Sequence, residues 1–113
     1  MPQIDINYSQ DLKLDLAEIC KIVNDTIEEF DGPGRDCKIR TNPAFYSNQP
    51  SIFINIGLLE KPHRDETFQK TLINLILEKT KPFISNASLA VNIYFLNTGY
   101  ISEKIEQLTH HHL

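Results

Sequence analysis

The chain opens "MPQIDIN", and the residue with the most chemistry in it is the second. With Met1 attached, the Pro2 nitrogen is an amide whose lone pair is delocalised and not basic. With Met1 removed, it becomes a free secondary amine, a base that no side chain supplies. An unperturbed α-amine titrates near about 7.7–8.0, well below lysine. An apolar pocket beside cations disfavours its charged form further. That leaves a base poised near neutral pH, as proton abstraction beside a carbonyl requires. The plainer reading is that proline merely starts a strand, where its missing N–H does no harm.

Three cations are candidates to work with such a base: Lys38, Arg40 and Arg64. A guanidinium fork matches a carboxylate, and the same charge stabilises a developing dienolate. Lys38 and Arg40 are two residues apart and share one face of a strand, so either can serve. The bland reading is that all three are solvated charges at element ends. His63, beside Arg64, reads as a loop residue rather than a general acid. Cys20 falls on an apolar helical stripe and reads as core, and Cys37 as structural. The two cysteines have no ligand spacing, so neither a zinc site nor a disulfide framework is indicated. His110, His111 and His112 form a terminal run that reads as an adventitious metal binder. "NDT" and "NAS" match glycosylation acceptors, but without a signal peptide they carry no weight.

Positioning these groups falls to a short list of elements. Ile4, Ile6 and Tyr8 alternate with Gln3, Asp5 and Asn7, which predicts a strand with one buried face. Ser9 and Asp11 offer caps for a following helix. Its apolar stripe is Leu16, Ile19, Cys20, Val23, Ile27 and Phe30, and "DGPG" (31–34) ends it. "CKIRTN" predicts a second strand and "PAFYSNQP" a turn-rich connection. "SIFINIGLL" predicts a third strand, followed by a loop, "EKPHRDE", that caps a second helix through Asp65. That helix carries Phe68, Leu72, Leu75, Ile76 and Lys79 on one stripe, widened by Ile73 and Leu77, and ends near Pro82. "SLAVNIYFL" predicts the fourth strand, and the tail after Gly99 a short strand or helical turn.

The order is β-α-β twice. "PQIDIN" and "PSIFIN" share four of six residues, and "IVNDTIE" and "LINLILE" share Asn and Glu at an offset of 50. This reads as a duplication, with halves of about 1–49 and 50–100 plus a C-terminal tail in one domain over 1–113. Right-handed crossovers give an α+β fold: a four-stranded sheet with both helices on one face. The chain has no third helix for the other face, where Phe53, Ala90, Asn92 and Tyr94 are expected. Assembly of several copies is the expected cover.

Composition narrows the classes. The chain has 113 residues, 41% hydrophobic and 23% charged, with net charge -4. This is globular composition without the basic footprint of nucleic-acid binding. No basic region followed by an apolar run opens the chain, and no stretch reaches membrane-spanning length. A soluble, cytoplasmic protein with no membrane partner is expected.

The carrying residues "MPQIDINYS", "CKIR" and "IFINIGLLEKPHRDETFQ", in a duplicated β-α-β frame, resemble the tautomerase superfamily, most of all the 5-carboxymethyl-2-hydroxymuconate isomerases. "LAVNIYFLNTGY" fits the family's last strand less specifically. The resemblance spans nearly the whole chain and implies a homotrimer with an inner barrel of sheets and a role in aromatic compound catabolism. It implies an amino-terminal proline that moves a proton in a small unsaturated hydroxy or keto dicarboxylate, with no metal and no cofactor. By position, Pro2 takes the base role and Arg64 falls where the family holds a substrate carboxylate. The second-strand arginine of the family meets Lys38 in one register and Arg40 in the other. The connection between the second and third strands is shorter than the family's. The competing reading is a non-catalytic trimer with Met1 retained, either structural or a small-ligand sensor.

Overall fold

β1 (Gln3–Ser9) follows from its alternation: Ile4 and Ile6 are fully buried. Gln3, Asp5 and Asn7 line the opposite face. The computed structural model describes residues 1–32, 36–97 and 99–106. α1 (Leu16–Asp31) begins later than the first candidate caps. Its N-cap is Asp15, whose carboxylate accepts the Glu18 N–H at 3.1 Å. Neither Ser9 nor Asp11 caps it, because Ser9 is spent elsewhere. Ser9 ends the strand, buried, with its hydroxyl accepting the Ser51 N–H at 3.0 Å. Ile19, Val23 and Ile27 form the buried stripe of α1, together with Thr26. Thr26 is tolerated there because its hydroxyl donates to the Ile22 carbonyl at 2.6 Å.

β2 (Lys38–Ala44) pairs parallel with β1 from Gln3↔Lys38 to Ser9↔Ala44. It runs beyond "CKIRTN" through Pro43, which an edge strand accommodates. β3 (Ser51–Leu59) pairs antiparallel with β1, placing Gln3 opposite Gly57 and Ile6 opposite Ile54. α2 (Glu66–Thr80) is capped by Asp65, which accepts the Phe68 N–H at 2.9 Å. Pro82 lies within the 3-10 turn, Lys81–Phe83, that follows it. β4 (Ser88–Leu96) pairs parallel with β3. Residues 101–106 adopt no regular structure, so the described part of the tail adds neither strand nor helix. No helix among the described residues is long and apolar enough to cross a membrane.

The sheet order is β2-β1-β3-β4. Each half is a parallel β-α-β unit, and the two halves meet through the antiparallel central pair. The core fills the space between one sheet face and the helices. Ile4, Ile6, Ile52, Ile54, Ile56 and Leu58 meet Ile19, Val23, Ile27, Leu72 and Ile76, all essentially without solvent exposure.

The other face is uncovered within the chain and mixed in character. One row across the strands is Asn42, Asn7, Phe53 and Ala90; the next is Arg40, Asp5, Asn55 and Asn92. Side-chain amides bond along these rows, Asn42 to Asn7 at 3.0 Å and Asn92 to Asn55 at 2.8 Å. The third row is Lys38, Gln3, Gly57 and Tyr94. There the Tyr94 ring lies over Gly57, and a Cβ on Gly57 would fall 2.7 Å from the Tyr94 hydroxyl oxygen and 3.1 Å from Leu96 Cδ2. Gly57→Ala should therefore lower unfolding free energy by about 1–3 kcal/mol, and the cost should shrink when Tyr94→Ala is added. A single Gly57→Ala variant that melts with the wild type would show that the ring swings aside freely.

Candidate functional site

One end of the sheet gathers the chemistry. Here β1 and β2 begin and β3 and β4 finish. Pro2 lies just before β1, buried, and its carbonyl accepts the Lys38 N–H at 2.9 Å. Met1 remains half-exposed beyond it, with its sulfur 3.9 Å from the Ser102 hydroxyl. At the ends of β3 and β4 an open cavity of about 490 Å³ is lined by Leu59, Glu60, Phe95, Leu96 and Asn97. Its lining includes neither Pro2 nor any of the three candidate cations. Those groups share the cavity's end of the sheet rather than its wall.

Lys38 is exposed on the open face opposite Gln3. Its ammonium makes no ion pair with any described residue. Arg40, on the same face, is committed. Its Nε pairs with Asp5 Oδ1 at 3.0 Å, and its Nη1 donates to Gln3 Oε1 at 3.0 Å. The Gln3 amide then donates to the Tyr100 hydroxyl at 2.8 Å, tying the tail to the open face. Both are half-exposed strand residues, but only Lys38 keeps its charge free, which separates the two registers that the resemblance leaves open.

Arg64 sits immediately before the N-cap of α2 and is only 5% exposed. Its Nη2 donates to Asp31 Oδ2 at 2.5 Å and its Nη1 to the Leu59 carbonyl at 2.6 Å. Its Nε is buried with no partner among the described residues. Asp31, the last residue of α1, has a side chain only 2% exposed. Its second oxygen meets His63 Nε2 at 2.8 Å. Burial works to raise the Asp31 carboxyl, but the hydrogen bonds from His63 and Arg64 outweigh it and hold it below the ordinary carboxylate range. His63 also packs edge-on against Phe68, which in turn contacts Phe30. This cluster joins the end of α1 to the loop between β3 and α2.

Asp31 is the residue that sequence reasoning missed. The signal was present: a carboxylate at a helix C-terminus opposes the helix dipole, so it needs a nearby cation. Tyr100, Gln3 and Glu60 carried no comparable signal. Cys20 packs partly buried against the core and Cys37 lies partly buried ahead of β2. Burial pushes both thiols up, Cys37 to about 11, so neither is a thiolate at neutral pH. His110 to His112 and Arg35 lie outside the described residues.

No protein-family model matches the chain, and no curated protein matches it. Solved structures do. A 5-carboxymethyl-2-hydroxymuconate delta-isomerase superposes with a TM-score of 0.77 at 16% identity, over 92% of this chain and 88% of that one. A malonate semialdehyde decarboxylase inhibited by 3-bromopropiolate gives 0.58 at 16% identity, over 88% and 91%. A macrophage migration inhibitory factor-like protein from Entamoeba histolytica gives 0.53 at 19% identity, over 88% and 95%. At these identities the likeness is one of fold: the chain has the tautomerase fold.

Proposed function

Starting from that fold, we propose that this chain is a cofactor-independent tautomerase acting on a small unsaturated hydroxy or keto acid. Removal of Met1 frees the Pro2 amine. That amine takes the proton of an enol hydroxyl and, as an ammonium, delivers a proton to a carbon of the conjugated chain. One O–H bond is lost, one C–H bond is gained, and the amine is regenerated. Lys38 receives the substrate's carboxylate beside it. The observation that carries this reading is the placement of Pro2: buried at the start of β1, with its carbonyl bonded to the backbone of a residue whose ammonium is unpaired. Mass spectrometry of native protein, paired with an enol–keto assay of the Met1-free form, tests it. Fully processed protein that turns over no such acid sinks the enzyme reading.

A second reading keeps Met1 and uses the same fold as a non-catalytic binding protein. The contact between Met1 sulfur and Ser102 favours it. Complete retention of Met1 in native protein is the result that would select it.

The open face supports a homotrimer. Phe53 and Tyr94 are 42% and 37% exposed there, beside Ala90 and a ladder of amides. Three such faces turned inward bury the aromatic groups and let the amides bond across subunits. Light scattering at micromolar concentration should give three times the chain mass; a monomer would remove the assembly.

A further inference from the structure

The geometry points to Asp31 as a specificity-determining residue: its carboxylate occupies the guanidinium of Arg64 that a second substrate carboxylate would need, so the site takes a monocarboxylate. This rests on the tautomerase reading and narrows its substrate class.

The chain has three arginines, Arg35, Arg40 and Arg64. Arg40 is held by Asp5 and Gln3, and Arg64 by Asp31 and the Leu59 carbonyl. Any copy of this chain brought alongside carries the same two neutralised arginines. Glu60, in the cavity wall, adds a negative charge that repels a dianion. Lys38 remains as an unpaired cation beside Pro2, enough to hold one carboxylate. Arg64 belongs to this end of the sheet because its Nη1 is bonded to the last residue of β3. It lies within the loop that leaves the cavity at Glu60. Its buried Nε has no partner, so one edge of the fork is already free of protein acceptors. Releasing Nη2 from Asp31 would give a substrate carboxylate two neighbouring donors.

The test uses Met1-free protein and two conjugated 2-hydroxy acids that differ only by a second, terminal carboxylate. Wild-type protein should favour the monocarboxylate by about tenfold in kcat/KM, the size of one charge-assisted hydrogen bond. Asp31→Asn should shift that ratio about tenfold toward the dicarboxylate, mainly through KM. The dicarboxylate should also raise the melting temperature of Asp31→Asn more than that of wild type. A wild type that prefers the dicarboxylate overturns the inference, as does a folded Asp31→Asn with an unchanged ratio. If Asp31→Asn does not fold, the wild-type comparison decides alone. Calorimetric binding of saturated, non-reacting mono- and dicarboxylate analogues separates the two levels of failure. An inactive protein that still binds the monocarboxylate tenfold more tightly loses the enzyme reading and keeps this inference.

Discussion

Placing one residue ahead of Pro2 removes turnover and leaves the fold intact. Protein fractions that retain and lack Met1, separated and identified by mass, should differ in kcat by about 10²–10⁴, the usual contribution of a positioned proton-transfer group. The chemical reason is confined to one atom: acylation turns a basic amine into an amide. The structural reason that folding survives is equally local. Regular pairing of β1 begins at Gln3, and what Pro2 contributes to the sheet is its carbonyl, bonded to the Lys38 N–H at 2.9 Å. Acylation leaves that carbonyl untouched. The two fractions should therefore melt together. Equal activity in both would show that the Pro2 nitrogen takes no part.

Breaking the Arg64–Asp31 pair should have the largest effect on stability. Both side chains are almost wholly buried, at 4% and 2% exposure. Removing one partner leaves the other charge stranded, at about 3–5 kcal/mol. Arg64→Ala and Asp31→Ala should each lower unfolding free energy by that amount in chemical denaturation. The double variant should cost much less than the two losses added. The pair also fixes a pH dependence. The Asp31 carboxyl titrates lower in the folded chain than in the unfolded one. Its contribution is therefore present above the unfolded value of about 3.9 and is lost as pH falls through the lower folded value. In Asp31→Asn that part of the acid limb should be absent. Single variants within about 0.5 kcal/mol of wild type would show that solvent reaches the pair.

Much of the fold was legible because alternation and helical spacing are local properties. Ile4, Ile6, Ile52, Ile54 and Ile56 declare a buried face two residues at a time, and Ile19, Val23 and Ile27 do so at helical spacing. The start of α1 was not legible. Ser9, Asp11 and Asp15 all carry capping oxygens, and only the pairing of Ser9 with Ser51 decides among them. The site divides the same way. Pro2 announces itself by position and chemistry. Arg64 and Arg40 read as available cations, yet each is satisfied by a carboxylate more than thirty residues away in the chain. Asp31 and Asp5 meet them only once the sheet is assembled. Spacing along the chain contains no trace of such pairings.

The central strands have a consequence for how this chain can come together at all. β1 and β3 pair across residues as distant as Gln3 and Gly57, and each is flanked on its far side by its own half's second strand. Neither half can satisfy its inner strand by itself. Folding therefore waits on a long-range ladder, the kind of closure that places a domain in the millisecond-to-second range of rates. The same geometry constrains ancestry. A single-half precursor, with its first strand bare on one side, would close its sheet by pairing antiparallel with a second copy around a two-fold axis. In the present chain that old contact between separate molecules has become the middle of one sheet.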